Sequence, residues 1–278
     1  MVVDFHSHIY PEKIAAKAVV NTEAFYTIPA RGRGTPEDLA AAGKKGGIHR
    51  FVVFSAAAVP AQVANINSYI ASVCTGRENA GADKAGGANT GGDAGGPVFT
   101  GFGTLHPDMK DPGEEIERIT GLGLRGVKFH PDMQKFNIDD ERMMKIYEIL
   151  EGKLPVIFHT GDYRYTYSHP ARLVPVLDAF PRLDVIAAHF GGWSLFDLAL
   201  EYFRDRRCYF DLSSSIPYLG RRRAEELIRI YGAERMLFGS DYPIWDPGEC
   251  LKEFFELKLS SAEQERILSG TALEILGD

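Results

Sequence analysis

Pro155-Val156-Ile157-Phe158-His159-Thr160 is a short apolar run that ends in polar side chains. Residues 184–189 repeat the arrangement and end in His189. Runs of this kind are apolar on both faces, as expected of strands that are covered on both sides. Helix-like segments separate eight such runs, and this alternation predicts a parallel sheet built from βα units. The eight runs are 2–6, 50–55, 98–104, 124–129, 155–160, 184–189, 208–212 and 235–239.

The segments between the runs carry signals for the start and end of helices. In 139–152, Asp139 or Asp140 can cap the helix, and Gly152 ends it. Near the C-terminus, Ser260 and Glu263 have the spacing of a capping box. Eight βα units in about 250 residues match the usual size of a (β/α)8 barrel. The sequence therefore predicts one α/β domain over residues 1–278, a single (β/α)8 TIM barrel.

An open, doubly wound sheet is the rival fold, and one motif bears on it. Residues 121–126 spell GxGxxG, but they follow a helix-like segment and lead into a strand. Dinucleotide binding requires the opposite order, in which a strand precedes the glycines and a helix follows them. We therefore interpret the motif as a helix end and a tight turn.

Residues 76–97 differ in composition from the rest of the chain. They contain eight glycines and five alanines among 22 residues, with no aromatic side chain. Such a segment buries too little apolar surface to offset the entropy of ordering. We predict a flexible surface loop at about 76–97, before the third strand.

Charge and hydropathy exclude several partners. The chain has 38 acidic and 31 basic residues, and no basic cluster is interleaved with aromatic residues, so we expect no nucleic-acid partner. The apolar runs are too short to span a membrane, and the three cysteines form no disulfide pattern. We expect a cytoplasmic protein with a small-molecule substrate, and homo-oligomerisation remains open.

Several histidines lie in or directly after the predicted strands. In a parallel barrel the carboxyl ends of the strands meet at one mouth. His6 and His8 have the i, i+2 spacing that directs both side chains to one face of a strand. Asp241 follows the eighth strand, which closure places beside the first. Imidazole nitrogens with one carboxylate are ligands that Zn²⁺ accepts, so the pattern indicates a metal site.

Four segments together resemble the amidohydrolase superfamily, in order and in spacing. Within it they look most like the amidohydrolase-related branch that includes aminocarboxymuconate-semialdehyde decarboxylase. The resemblance covers nearly the whole chain apart from the glycine-rich segment. The four segments are 4–8 (DFHSH), 156–161 (VIFHTG), 186–192 (IAAHFGG) and 237–243 (LFGSDYP).

The resemblance implies a ligand set for one divalent metal, with Zn²⁺ as the expected ion and Mn²⁺ as the alternative. It implies His189 beside the metal-bound water or the substrate, with a role as a further ligand left open. Some superfamily members hold a second metal through a carbamylated lysine at the position of Lys128. We prefer one metal, with Lys128 and His130 as substrate contacts. The implied ligands are His6, His8, His159 and Asp241.

The implied chemistry uses Asp241 and His189 as catalytic residues. A bound metal lowers the pKa of water to about 7 and polarises a carbonyl group. We therefore expect a hydrolase that acts on a small carbonyl or carboxylate-bearing substrate, such as a lactone or an amide. The alternative is a non-oxidative decarboxylase of a small unsaturated or aromatic acid. A third hypothesis is a barrel that binds a metabolite without catalysis. The presence of every candidate ligand argues against this hypothesis.

The segment after the fifth strand is rich in aromatic residues and contains Arg164. A guanidinium group matches the geometry of a carboxylate, so Arg164 is a candidate substrate clamp. The alternative is a pair with the nearby Asp162. Tyr163 and Trp193 are candidates for walls around an organic substrate.

Overall fold

The computed structural model describes residues 1–76 and 96–278. All eight predicted runs overlap a β-strand; seven strands lie within their runs, and β1 extends two residues beyond its run. The strands are β1 (Val3–His8), β2 (Arg50–Phe54), β3 (Val98–Gly101), β4 (Val127–Phe129), β5 (Val156–Phe158), β6 (Val185–Ala187), β7 (Tyr209–Asp211) and β8 (Met236–Leu237).

Helices separate the strands, as the alternation predicts. The helices are α1 (Glu12–Tyr26), α2 (Pro36–Gly46), α3 (Val63–Cys74), α4 (Pro112–Gly121), α5 (Pro131–Gln134), α6 (Glu141–Leu150), α7 (Pro170–Ala179), α8 (Phe196–Phe203), α9 (Ile216–Leu219), α10 (Arg221–Tyr231), α11 (Pro247–Phe255), α12 (Ser261–Glu265) and α13 (Thr271–Leu276). Short 3₁₀ turns cover Pro60–Gln62 and Ala233–Arg235, and a π turn covers Arg266–Gly270.

The strands are parallel and form a closed ring. Neighbouring strands pair in sequence order from β1 to β3 and from β4 to β8. Single bridges join the two sheets, from Gly103 to Val127 on one side and from Ser7 to Tyr242 on the other. The backbone N–H of Phe5 also donates to the carbonyl of Phe238 at 2.8 Å. The fold is therefore the predicted (β/α)8 barrel, in which all strands direct their carboxyl ends to one mouth.

Two apolar layers hold this ring. Inside the barrel, buried side chains from different strands pack together, among them Phe5, Ile157, Ile186 and Leu237. A larger layer fills the space between the strands and the helices. The barrel interior is thus a packed core, as is usual for this fold.

Local signals agree with the predicted element ends. The side chain of Asp140 caps α6, and Ser260 and Glu263 form both bonds of a capping box at α12. The GxGxxG segment is a turn: α4 ends at Gly121, and Gly123 has a φ of 77°. The predicted loop at 76–97 falls mostly on residues 77–95, which lie outside the described residues. Within the described ranges, no helix is both long and apolar enough to cross a membrane.

Candidate active site

The site contains two histidines near the carboxyl end of β1. His6 and His8 are two residues apart on the strand, and their ring centroids lie 5.4 Å apart. Both rings pack edge-on against Phe54 at the end of β2, at 5.1 and 4.9 Å. The i, i+2 spacing therefore places both imidazoles on the same side of the strand, as the sequence predicts.

Asp241 approaches these histidines from the segment after β8. Its Oδ1 atom lies 3.4 Å from His6 Nε2 and 3.6 Å from His8 Nε2. Its Oδ2 atom accepts a hydrogen bond from Ser214 Oγ at 2.5 Å. The ligand atoms of the three residues lie within 4.8 Å of one another. The structure thus brings together three of the four predicted ligands.

The second nitrogen of His6 is held by a residue that the sequence analysis did not select. Asp211, the last residue of β7, is buried, and its Oδ2 atom lies 2.8 Å from His6 Nδ1. A carboxylate only accepts hydrogen bonds, so Nδ1 carries the proton and Nε2 presents a lone pair. This is the form in which an imidazole binds a metal.

His159 and His189 form a neighbouring pair. His189 Nδ1 donates to the carbonyl of Ser213 at 3.0 Å, which leaves a lone pair on Nε2. That atom lies 3.0 Å from His159 Nδ1, which therefore donates to it. His159 Nε2 is then an acceptor, and it is buried without a hydrogen-bond partner. Its ligand atom groups with Asp132 and Asp162 rather than with His6, His8 and Asp241.

Lys128 and His130 flank the histidines. The Lys128 side chain is fully buried, and its Nζ lies 3.1 Å from His6 Nε2 and 5.0 Å from the Phe54 ring centroid. The His130 ring stacks on that of His159, with the centroids 4.1 Å apart. Its Nε2 atom lies 2.6 Å from the hydroxyl of Tyr26, at the end of α1.

A cavity of about 60 Å³ opens beside these groups. A second, smaller cavity of about 10 Å³ adjoins it and is lined by Trp193 and His189. Tyr26, His159 and Asp241 line both, so the two cavities belong to one site. The other side chains around the larger cavity include His8, Tyr10, His130 and Ile244.

The candidate clamp Arg164 is engaged within the protein. Its Nε and Nη2 atoms donate to both oxygens of the buried Asp162, at 2.9 and 2.6 Å. Its Nη1 atom donates to the carbonyl of Phe25, and its guanidinium lies over the rings of Phe25 and Trp193. The structure therefore places Arg164 in the Asp162 pair that the sequence analysis left as the alternative.

The two predicted aromatic walls differ in position. Trp193 is 9% exposed, and its ring meets that of Tyr26 edge-on at 5.4 Å. Tyr163 is 72% exposed and lines neither cavity. The expectation of a wall at Tyr163 is therefore not met, because its side chain points into solvent from a turn.

Burial sets the protonation of the site. It is the largest cause that lowers the pKa of His6, His8, His130 and His159 well below the usual value, so the rings are neutral. Burial also raises the pKa of Asp241 to about 7 and lowers that of Lys128 to about 8. A cation held by Asp241 would favour the charged carboxylate.

Left-handed backbone conformations concentrate at this site. His189, Phe190 and Asp241 have φ values of 60°, 53° and 65°, which non-glycine residues seldom adopt. Such conformations cost energy and persist where surrounding contacts hold them. Here they occur at His189 and Asp241, in the turns that follow β6 and β8.

The residues present fit a divalent cation. Neutral imidazoles and a carboxylate are suitable ligands for Zn²⁺ and Mn²⁺. The lone pair of His6 Nε2 and the carboxylate of Asp241 face each other, and the buried His159 Nε2 lacks a partner. An orphaned buried nitrogen is costly unless a ligand satisfies it.

The comparisons identify the family. The profile of the family described as Amidohydrolase matches residues 3–277, so the chain belongs to that family. A search of curated proteins finds no match. The predicted superfamily is thereby confirmed.

Solved structures share the fold at low identity. An uncharacterised TIM-barrel protein from Bordetella bronchiseptica is 20% identical, with 99% of this chain and 98% of that chain covered and a TM-score of 0.77. The 5-carboxyvanillate decarboxylase of Sphingomonas paucimobilis is 18% identical, with 99% and 98% covered and a TM-score of 0.71. A dihydroxybenzoic acid decarboxylase from Polaromonas, with bound manganese and the inhibitor 2-nitroresorcinol, is 14% identical, with 99% and 96% covered and a TM-score of 0.72.

Proposed function

We propose that this chain is a metal-dependent decarboxylase of a small aromatic or unsaturated carboxylic acid. One divalent metal, Mn²⁺ or Zn²⁺, would be held by His6, His8 and Asp241, and a turn of the His159 ring away from Asp132 would make His159 the fourth ligand. This choice reverses the order of the two reactions that the sequence analysis favours. The substrate class and the reaction rest on separate observations.

Buried Lys128 carries the proposal of an acidic substrate. Among residues 1–76 and 96–278, no carboxylate lies within 4.0 Å of its ammonium group. Asp211 and Asp241 attract the ammonium group from farther away without forming an ion pair with it. A buried cation attracts an anion more strongly than it does in water, so a substrate carboxylate would supply the ion pair that Lys128 lacks.

Similarity to known structures supports decarboxylation. Two of the structures described above are of enzymes named as decarboxylases of aromatic acids, and one contains manganese. The rings of Tyr10 and Tyr26 border the cavity here, and they suit a planar organic substrate. At these low identities the likeness supports the reaction only together with the site.

Residues of the chain would then have separate roles in the reaction. When bound, the metal supplies positive charge that orients and polarises substrate oxygens. Lys128 would attract the acid, and Asp241, once it has taken up a proton from water, would deliver that proton to the carbon that loses its carboxylate. The C–C bond breaks, its electron pair stays on that carbon, and the proton joins it as CO₂ leaves. His189, whose Nε2 is an acceptor, would hold the substrate rather than donate this proton.

Hydrolysis of a lactone or an amide is the second candidate. The observation that favours it is the orientation of Asp241, because Ser214 binds Oδ2 while Oδ1 faces the two histidines. A carboxylate in this position can accept a proton from water. The two reactions differ in their products, so one assay separates them.

The test uses protein loaded with Mn²⁺ or Zn²⁺. Hydroxybenzoates, 5-carboxyvanillate and unsaturated acids are supplied in D₂O beside simple lactones and amides, and CO₂ and products are measured. We expect CO₂ release and one deuterium at the carbon that carried the carboxylate, with loss of both in Asp241→Asn. Ring opening or amide cleavage without CO₂ would replace the proposal with hydrolysis.

A further inference from the structure

Tyr26 carries a hydroxyl group to which neither the sequence motifs nor the proposed reaction assigns a role. It is the last residue of α1, and it lines both the larger and the smaller cavity. Its ring lies 6.0 Å from that of His159 and meets Trp193 edge-on. Its hydroxyl lies 2.6 Å from His130 Nε2.

The direction of this short hydrogen bond follows from the other nitrogen of His130. The backbone N–H of Met133 donates to His130 Nδ1 at 3.3 Å, because His130 caps α5. A nitrogen that accepts a hydrogen bond bears no proton, so the proton of the neutral ring is on Nε2. His130 therefore donates to the Tyr26 hydroxyl, and the phenolic proton takes no part in this bond.

The position of the hydroxyl is fixed by the protein. The guanidinium of Arg164 lies 5.7 Å from the Tyr26 ring centroid, and it donates to the carbonyl of Phe25 next to it. Thr27 ends the helix with a left-handed φ of 58°. Across the two described ranges, the hydroxyl has no hydrogen-bond partner other than His130. A hydroxyl that is held in place at a cavity wall and donates to no acceptor in the protein is suited to donate a hydrogen bond to a ligand oxygen.

We infer that Tyr26 is a substrate-binding residue that donates a hydrogen bond to a second oxygen of the substrate. The inference rests on the proposed function, since it takes the cavity to bind a small acid. Lys128 contacts His6, whereas Tyr26 contacts His130, so the two groups would bind different parts of one molecule. The substrate class is thereby narrowed to carboxylic acids that carry a hydroxyl or oxo group.

The first test examines the proton on His130 and needs no substrate. In ¹⁵N-histidine-labelled protein, long-range ¹H–¹⁵N correlation assigns the tautomer, and loss of the signals in His130→Gln identifies the residue. We expect a protonated Nε2 and an unprotonated Nδ1. A proton on Nδ1 would make Tyr26 the donor to His130 and would overturn the inference.

The second test measures binding of 2,6-dihydroxybenzoate and benzoate to Mn²⁺-loaded protein by calorimetry. Both probes carry a carboxylate, but only the first has further oxygens. We expect Tyr26→Phe to weaken binding of 2,6-dihydroxybenzoate by about 3- to 10-fold, the usual effect of one lost neutral hydrogen bond, and to leave benzoate unchanged. Tyr202→Phe, in α8 and outside both cavities, is the matched control and should change neither.

The outcomes separate this inference from the proposed reaction. Equal weakening of both probes in Tyr26→Phe, or no binding of 2,6-dihydroxybenzoate by the unmodified protein, would overturn the inference. Binding that depends on the Tyr26 hydroxyl without CO₂ release from any acid would uphold the inference and contradict decarboxylation.

Discussion

Asp211 Oδ2 accepts a hydrogen bond from His6 Nδ1 over 2.8 Å, between two side chains that are buried at the carboxyl ends of β7 and β1. The same carboxylate accepts the backbone N–H of His189 through Oδ1, at 3.0 Å. Asp211 therefore fixes the tautomer of one candidate ligand and the backbone of the residue beside the substrate. A carboxylate behind a ligating histidine commonly sets metal affinity.

We predict that Asp211→Asn lowers the affinity for Mn²⁺ or Zn²⁺ by about 10- to 100-fold, the usual cost of losing such a partner. An amide can present its NH₂ to His6 Nδ1, which would leave the wrong nitrogen protonated. The measurement is competition with a chelating dye, with Asp184→Asn at the edge of β6 as the control. Unchanged affinity with an unchanged circular dichroism spectrum would contradict the role of Asp211.

Replacement of Lys128 should have the opposite effect on metal affinity. Its ammonium lies 3.1 Å from His6 Nε2, the atom on which the metal would be held. Two cations at such a distance repel each other strongly inside a protein. Lys128→Met should raise metal affinity by about 10-fold or more, and it should also weaken binding of benzoate. The dye competition and calorimetry test both effects, and a metal affinity that falls would instead indicate that the lysine helps to bind the metal.

The sequence predicted well the strands that carry the site and the residues at their ends, because both depend on local patterns. Apolar runs mark each strand, and the i, i+2 spacing of His6 and His8 fixes their common side. Closure of the barrel then brings Asp241 to β1 without any further assumption. Asp211 also follows an apolar run, so a search for acidic residues at every strand end could have selected it.

Other parts of the site depend on contacts that no pattern reports. Tyr26 enters from the end of α1, and nothing in its neighbourhood distinguishes it from a packing residue. The choice between a clamp and an ion pair for Arg164 depended on the conformation of the turn after β5. His159 lies at the predicted strand end, yet its free nitrogen faces Asp132 at 3.7 Å, and side-chain rotation decides that distance.

Asp241 is the residue whose loss should stop the reaction without unfolding the protein. A backbone hydrogen bond holds the residue in place, because the Asp241 N–H donates to the carbonyl of His6 at 2.8 Å. Asp241→Asn keeps that bond and the size of the side chain but removes a proton carrier and a charged ligand. We expect turnover to fall at least about 100-fold, the low end for a lost general acid or base, with the melting temperature within a few degrees. Activity that survives within a few fold would remove Asp241 from the chemistry.

Arg164 should act on stability and on the position of Tyr26 rather than on the substrate carboxylate. Its partner Asp162 is fully buried, so Arg164→Met would leave a buried carboxylate without its cation. We expect a loss of about 1–3 kcal/mol in the free energy of unfolding, the cost of an unsatisfied buried polar group. Arg182→Met is the matched control, because Arg182 is 77% exposed in its pair with Glu151 and exposed pairs contribute little to stability. Denaturant unfolding measures both variants, and benzoate binding is measured beside it. Full stability of Arg164→Met, together with a selective loss of carboxylate binding, would instead establish the guanidinium as a substrate clamp.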